Sequence, residues 1–133
     1  MQDLTIAILE DCTSGSDEER LTFPQVVGNL ISAGVERYHA DLQRSEKTYF
    51  LSNGESRVIQ TRVIDEVPAA TFHAEGVEAA VRAIQAGRIK YIEFCERIMR
   101  AGCVSYIVSM AGKRAVYYGR TGACYVEPFP SAA

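Results

Sequence analysis

Apolar residues in this chain fall at two spacings, and the switch from one to the other happens twice. Phe23, Val26, Val27, Leu30 and Ile31 lie on one face of a helix. Thr22, Pro24 and Gln25 give that helix a capping box and a proline where its missing N–H costs nothing. Gly34 stops it, because glycine takes the left-handed conformation cheaply. From there the period drops to two: strands are predicted at Val35 to about Leu42, Lys47 to Leu51 and Ser56 to Val63. Gln43-Arg44-Ser45-Glu46 turns the chain, and Asn53-Gly54 offers two residues able to take positive φ in a hairpin.

Later the same order returns. Val77, Ala80, Val81 and Ile84 mark one helix, stopped at Gly87. Tyr91, Ile92, Phe94, Cys95, Ile98 and Met99 mark the next, stopped at Gly102. Strands follow at about Val104–Met110, Arg114–Tyr118 and Ala123–Pro128. Adding 68 to a residue number carries Ala33-Gly34 to Ala101-Gly102, Tyr38 to Tyr106, Tyr49 to Tyr117, Gly54 to Gly122 and Val58 to Val126 without a gap. That offset also makes His73 the counterpart of Thr5, each at a helix start. The first helix then runs from about Ile6 to Cys12, with Thr13-Ser14-Gly15-Ser16 as its break and Asp17-Glu18-Glu19-Arg20 as a solvated connector.

The expected architecture is α+β: two tandem α-α-β-β-β repeats related by a pseudo-twofold, helices packed on antiparallel sheet. The repeats span about 1–65 and 69–133 of a single domain, joined near Asp65-Glu66-Val67-Pro68. Three strands and two helices bury little alone, so one shared core is expected.

Composition narrows the function classes without choosing one. The 133 residues are 47% apolar and 23% charged, with net charge -3. That balance argues against nucleic acid as the main partner, although Arg37, Arg44, Lys47 and Arg57 would form a basic patch if they merged. No apolar run approaches the ~18 residues of a membrane span. Met1-Gln2-Asp3-Leu4 has no secretory pattern, which points to a cytoplasmic protein with reduced thiols. Cys12, Cys95, Cys103 and Cys124 lack any metal or redox spacing, and Cys95, Cys103 and Cys124 read as buried small hydrophobes. His39 and His73 complete no metal motif, so neither metal nor cofactor is expected.

The candidate chemistry lies where the two copies differ. In the second copy Val104, Tyr106, Val108 and Met110 should face the helices, and Glu36, Tyr38, Ala40 and Leu42 in the first. The opposite face carries Arg37, His39 and Asp41 in the first copy only. Asp41 orienting His39 is a general-base arrangement, with Arg37 to hold an anion. A solvated face with charge pairs to Lys47 or Arg57 explains the trio without chemistry, and no nucleophile accompanies it. Tyr38 and Tyr49 could line a ligand site with Arg37, but their repetition fits packing better.

Thr22-Phe23, Ala33-Gly34-Val35, Tyr38, Asp41-Leu42, Tyr49, Gly54-Glu55, Gly76-Val77 and Ile84-Gln85-Ala86-Gly87 resemble a family of small uncharacterised bacterial proteins, some labelled phage envelope protein. Tyr117-Tyr118-Gly119 and Gly122 fit the same pattern. The resemblance implies a cytoplasmic α+β domain and carries no established catalytic residues. The expectation is therefore a non-enzymatic binding domain for an unknown small molecule or protein, as monomer or homodimer. The alternative is a small enzyme with His39 as base.

Overall fold

The computed structural model describes residues 1–130. The elements run α1 (Asp3–Asp17), α2 (Phe23–Ser32), β1 (Val35–Asp41), β2 (Glu46–Leu51), β3 (Ser56–Gln60), α3 (Ala74–Gln85), α4 (Tyr91–Arg100), β4 (Cys103–Ser109), β5 (Arg114–Gly119) and β6 (Cys124–Pro128). The fold is α+β, with helices packed on one antiparallel sheet of strand order β3-β2-β1-β4-β5-β6. The two middle strands come from opposite halves of the chain, so one sheet runs through both.

Helix α2 begins as its sequence dictates. Thr22 Oγ1 accepts from the Gln25 amide at 3.4 Å, and Gln25 Oε1 accepts from the Thr22 amide at 2.8 Å. Helix α1 departs from expectation at both ends. Gln2, not Thr5, is its cap residue, and the helix continues through Thr13-Ser14-Gly15-Ser16 to Asp17. Tertiary contacts explain the continuation. Thr13 Oγ1 donates back to the Leu9 carbonyl at 2.8 Å and shares a second hydrogen bond of 2.8 Å with the Tyr49 hydroxyl. Bonded within the helix and to Tyr49, the hydroxyl offers the backbone no alternative to the helix. Gly15 is small for packing: a Cβ there would come within 2.4 Å of Leu21 Cδ1.

The Asn53-Gly54 hairpin forms, but only Gly54 takes positive φ, at 96°. The Gly54 amide donates to the Leu51 carbonyl, and the Leu51 amide to the Glu55 carbonyl, which closes a three-residue loop with glycine in its left-handed position. Strand β3 stops at Gln60 rather than Val63, because the Arg62 amide turns away to donate to Asp17 Oδ2 at 2.8 Å.

The period-2 phase also shifts at the start of each middle strand. A bulge between Val35 and Arg37, and another between Cys103 and Ser105, each insert one residue. Val35 and Cys103 are therefore buried, and Glu36 and Val104 are not on the packed face. Beyond the bulges the expected alternation holds: Tyr38, Ala40 and Leu42 are buried, as are Tyr106, Val108 and Met110.

On that packed face the tyrosines form a ladder across five strands. Tyr49, Tyr38, Tyr106, Tyr117 and Tyr125 sit on β2, β1, β4, β5 and β6, with successive ring centroids 5.3, 6.4, 5.3 and 6.4 Å apart. Such offset and edge contacts add to the area each ring buries. The helices cover this ladder and complete the core with Leu9, Leu30, Val77, Ile98 and Met99. Among the cysteines, Cys95 and Cys103 are buried as expected and Cys12 is buried too; Cys124, expected to be buried, is exposed, because it lies on an edge strand.

Candidate functional site

All four helices pack on the tyrosine side, so the other face of the sheet has no helix over it. Strand pairing arranges that face in three rows. The central row reads Val58, Thr48, His39, Ile107, Val116, Val126 across the six strands. On one side of it run Phe50, Arg37, Ser109 and Arg114; on the other run Glu46, Asp41, Ser105 and Tyr118. The face is thus apolar through its centre, basic along one margin and acidic along the other.

Arg37, His39 and Asp41 share this face, but no hydrogen bond joins His39 to Asp41 among the described residues. Asp41 Oδ1 accepts instead from the amides of Gln43 at 3.1 Å and Arg44 at 3.0 Å, holding the β1–β2 turn. The His39 ring lies 4.9 Å from that of Phe50, and the Arg37 guanidinium lies 4.1 Å from the same ring. Arg37 is ion-paired with Glu36. Burial, and then the neighbouring Arg37 charge, lower the His39 pKa, so the imidazole is neutral at pH 7.

Tyr38 and Tyr49 do not join Arg37. They lie on the opposite side of the sheet, in the core. The four cations that would have made a basic patch are also dispersed. Arg37 is on the helix-free face, Arg44 pairs with Glu46 at 2.9 Å, Lys47 is buried under the helices, and Arg57 is exposed on β3 opposite Tyr49.

Lys47 is the residue that sequence reasoning misplaced. It was expected on the solvated face as a partner for the trio; it is 3% exposed and points into the core. Its ammonium lies 4.7 Å from the Tyr91 ring centroid and 5.6 Å from that of Tyr38. Tyr91 in turn shares a 2.7 Å hydrogen bond with the Tyr106 hydroxyl. Two signals in the sequence mark it. Lys47 is in phase with Tyr49 and Leu51, both core residues, and the 68-residue offset pairs it with Ala115, a buried position. A charged residue is almost never buried so far unless paired, and no carboxylate lies within salt-bridge distance of Lys47 among the described residues.

A concavity of about 510 Å³ lies between α3 and α4 over Ala83, Ala86 and Ile89. Two of its arginines are committed: Arg82 to Glu127 at 2.9 Å and Arg97 to Glu93 at 2.6 Å. Among the described residues no three His, Cys, Asp or Glu side chains converge as a metal site.

Residues 13–128 match the family model described as "Protein of unknown function (DUF1398)". The chain belongs to this family. It is also 30% identical over 110 residues to "Uncharacterized protein Rv2012" of Mycobacterium tuberculosis and to "Uncharacterized protein Mb2035" of Mycobacterium bovis. Each alignment covers 80% of this chain and 66% of the relative, so the chain spans slightly under two thirds of those proteins. The descriptions of these matches name no activity and no phage component. The matched segment runs from Thr13 to Pro128, and so takes in all six strands, the helix-free face and Lys47. Among the described residues no helix is long and apolar enough to cross a membrane.

Proposed function

We propose that this chain is a non-enzymatic interaction domain, and that the helix-free face of its sheet binds a second copy of the chain. The carrying observation is the row pattern of that face. Val58 and Val126, 51% and 42% exposed, end a central row of Thr48, His39, Ile107 and Val116, and the charged margins have opposite signs. Turn a copy about an axis that crosses the strands at the central row. Its acidic margin then lies over the basic margin of the first copy: Asp41 over Arg37, Tyr118 over Arg114, valine and isoleucine over themselves. Such a pairing is self-complementary, as a twofold interface must be. The face covers on the order of 500 Å² per copy from strand spacing and rise, close to the lower bound for a specific interface. A reversible dimer of moderate affinity is expected.

His39 enters this reading as a contact residue rather than a base. What supports that is the commitment of Asp41 Oδ1 to two turn amides. The reading also takes the two α-α-β-β-β halves as copies about a pseudo-twofold between β1 and β4. Its support is the matching position of the two bulges and the shared order of elements. Four free cysteines support a reducing, cytoplasmic setting.

Sedimentation equilibrium across a concentration series tests the proposal. The native chain should show a monomer–dimer equilibrium. Ile107→Asp, which puts a charge at the centre of the face, should give a monomer with an unchanged circular dichroism spectrum. A native chain that stays monomeric at the highest soluble concentration would refute the self-pairing.

A further inference from the structure

Self-pairing of the helix-free face brings one titratable side chain against itself. A twofold axis along the central row lays every residue of that row over its own copy. His39 of β1 is in that row, between Thr48 of β2 and Ile107 of β4. Packed sheets stand about 10 Å apart, so two imidazoles rising from facing strands meet midway. His39 is half-buried in the single chain, and the pairing takes away the water it still touches.

The groups around each imidazole decide whether it can keep a proton there. Along its own strand the charged neighbours are Arg37 and Asp41. From β2 it meets Thr48, with Phe50 and Glu46 on the diagonals; from β4 it meets Ile107, with Ser109 and Ser105 on the diagonals. The carboxylates are committed. Asp41 accepts from two turn amides, and in the pair it lies over Arg37 of the second copy. Glu46 is paired with Arg44 at 2.9 Å, and Glu36 with Arg37. The second copy brings only another His39 to the ring. No uncommitted carboxylate is left on this face to neutralise an imidazolium.

A neutral imidazole has one N–H donor and one acceptor nitrogen, whereas an imidazolium has donors only. Two neutral rings, or one neutral and one charged, can share a hydrogen bond. Two imidazoliums cannot, and their charges repel strongly in a gap without water.

We infer that the self-pairing of this face is a pH switch: the dimer forms with His39 uncharged and comes apart in mild acid, when both copies are protonated. This rests on the proposed pairing and adds its regulation. The second proton has no place in the dimer, so below the His39 pKa at least one proton leaves for each dimer formed. The dissociation constant then rises about tenfold for each unit of falling pH, and it is flat above that pKa. The window lies below 6.5, because burial and the Arg37 charge hold the imidazole under its ordinary value.

Sedimentation equilibrium of the full chain from about pH 7.5 down to about pH 5, at constant ionic strength, reads the dissociation constant, and circular dichroism at each pH follows the fold. The native chain should lose about tenfold or more in affinity across that range. His39→Gln, which takes no charge, should dimerise equally well throughout. Both chains approach the isoelectric point, about 5.4, in nearly the same way, so an effect of low net charge is common to both. His39→Lys, charged throughout, should be monomeric even at neutral pH. A native chain that is monomeric at pH 7.5 would remove the pairing and this switch with it. A native dimer equally tight at both ends of the range, an acid weakening that His39→Gln shares, or a His39→Lys dimer would overturn the switch alone and leave the pairing standing.

Discussion

Replacing Gly102 with alanine will destabilise the protein by about 3 kcal/mol or more, whereas the same change at Gly34 will cost about 1 kcal/mol. Both glycines end a helix, at positions 68 residues apart. Both take positive φ, 95° at Gly102 and 87° at Gly34. Backbone strain is therefore similar at the two. The surroundings are not. A Cβ at Gly34 meets nothing within 4 Å; at Gly102 it would lie 2.4 Å from the Thr71 carbonyl oxygen and 2.8 Å from Phe72 Cα. Those are backbone atoms of the segment that connects the two halves. They are tied down close by, since the His73 amide donates to the Ala101 carbonyl at 2.7 Å and the Ala69 amide to the Met99 carbonyl at 3.0 Å. They cannot yield as a side-chain tip would. Urea denaturation of the two variants checks the difference; equal losses would show that the connecting segment is not pressed against Gly102.

Lys47→Met is expected to stabilise the protein by about 1–2 kcal/mol at pH 7, against the usual direction of core substitutions. The ammonium is 3% exposed and has no carboxylate within salt-bridge distance among the described residues. The faces of Tyr91 and Tyr38 offset only part of its lost hydration. Methionine keeps the length and removes the charge. The pH dependence carries the same signature. Burial holds the Lys47 pKa below its ordinary 10.5. Between that lowered value and 10.5 the unfolded chain binds more protons than the folded one, so this group's penalty shrinks as pH rises through the window. Several groups face Lys47 and shape the profile: Cys12 and Asp17 from α1, Tyr91 and Cys95 from α4, and Tyr38 from β1, with Asp41, Glu46 and Arg62 at the rim. The tyrosines act in the opposite sense only above pH 10, where the unfolded chain loses phenol protons that burial makes the native state keep. Denaturation free energies of the native chain should therefore rise between neutral pH and about 10, and those of Lys47→Met should not. Parallel curves would mean that the amine is charged to the same extent folded and unfolded.

Much of the architecture could be read from the pattern of residues. A capping box placed the start of α2, helical spacing and stop glycines placed α3 and α4, and the two-residue period placed all six strands. The misses share one cause. Thr13, Ser14 and Gly15 carry the local signature of a helix break, but Tyr49 and Leu21 come from elsewhere in the chain to satisfy the hydroxyl and fill the space. The bulges moved Glu36 and Val104 off the packed face because strand pairing, not the alternation of residues, sets the register there.

The candidate site was less legible. Arg37, His39 and Asp41 were rightly put on one face, since side chains two apart on a strand point the same way. What Asp41 does with its carboxylate depended on the turn that follows it. Residue type alone makes Lys47 a surface charge, whereas its phase with Tyr49 and Leu51 puts it in the core.

By itself, the sequence determined the local elements, their order and which residues share a face, because these follow from neighbours within a few positions along the chain. Only the tertiary structure decided that β1 and β4 pair, that one sheet face has no helix over it and that an amine ends among tyrosine rings. Each of those depends on groups far apart in sequence, brought together by the burial of one core shared by all the helices and the sheet.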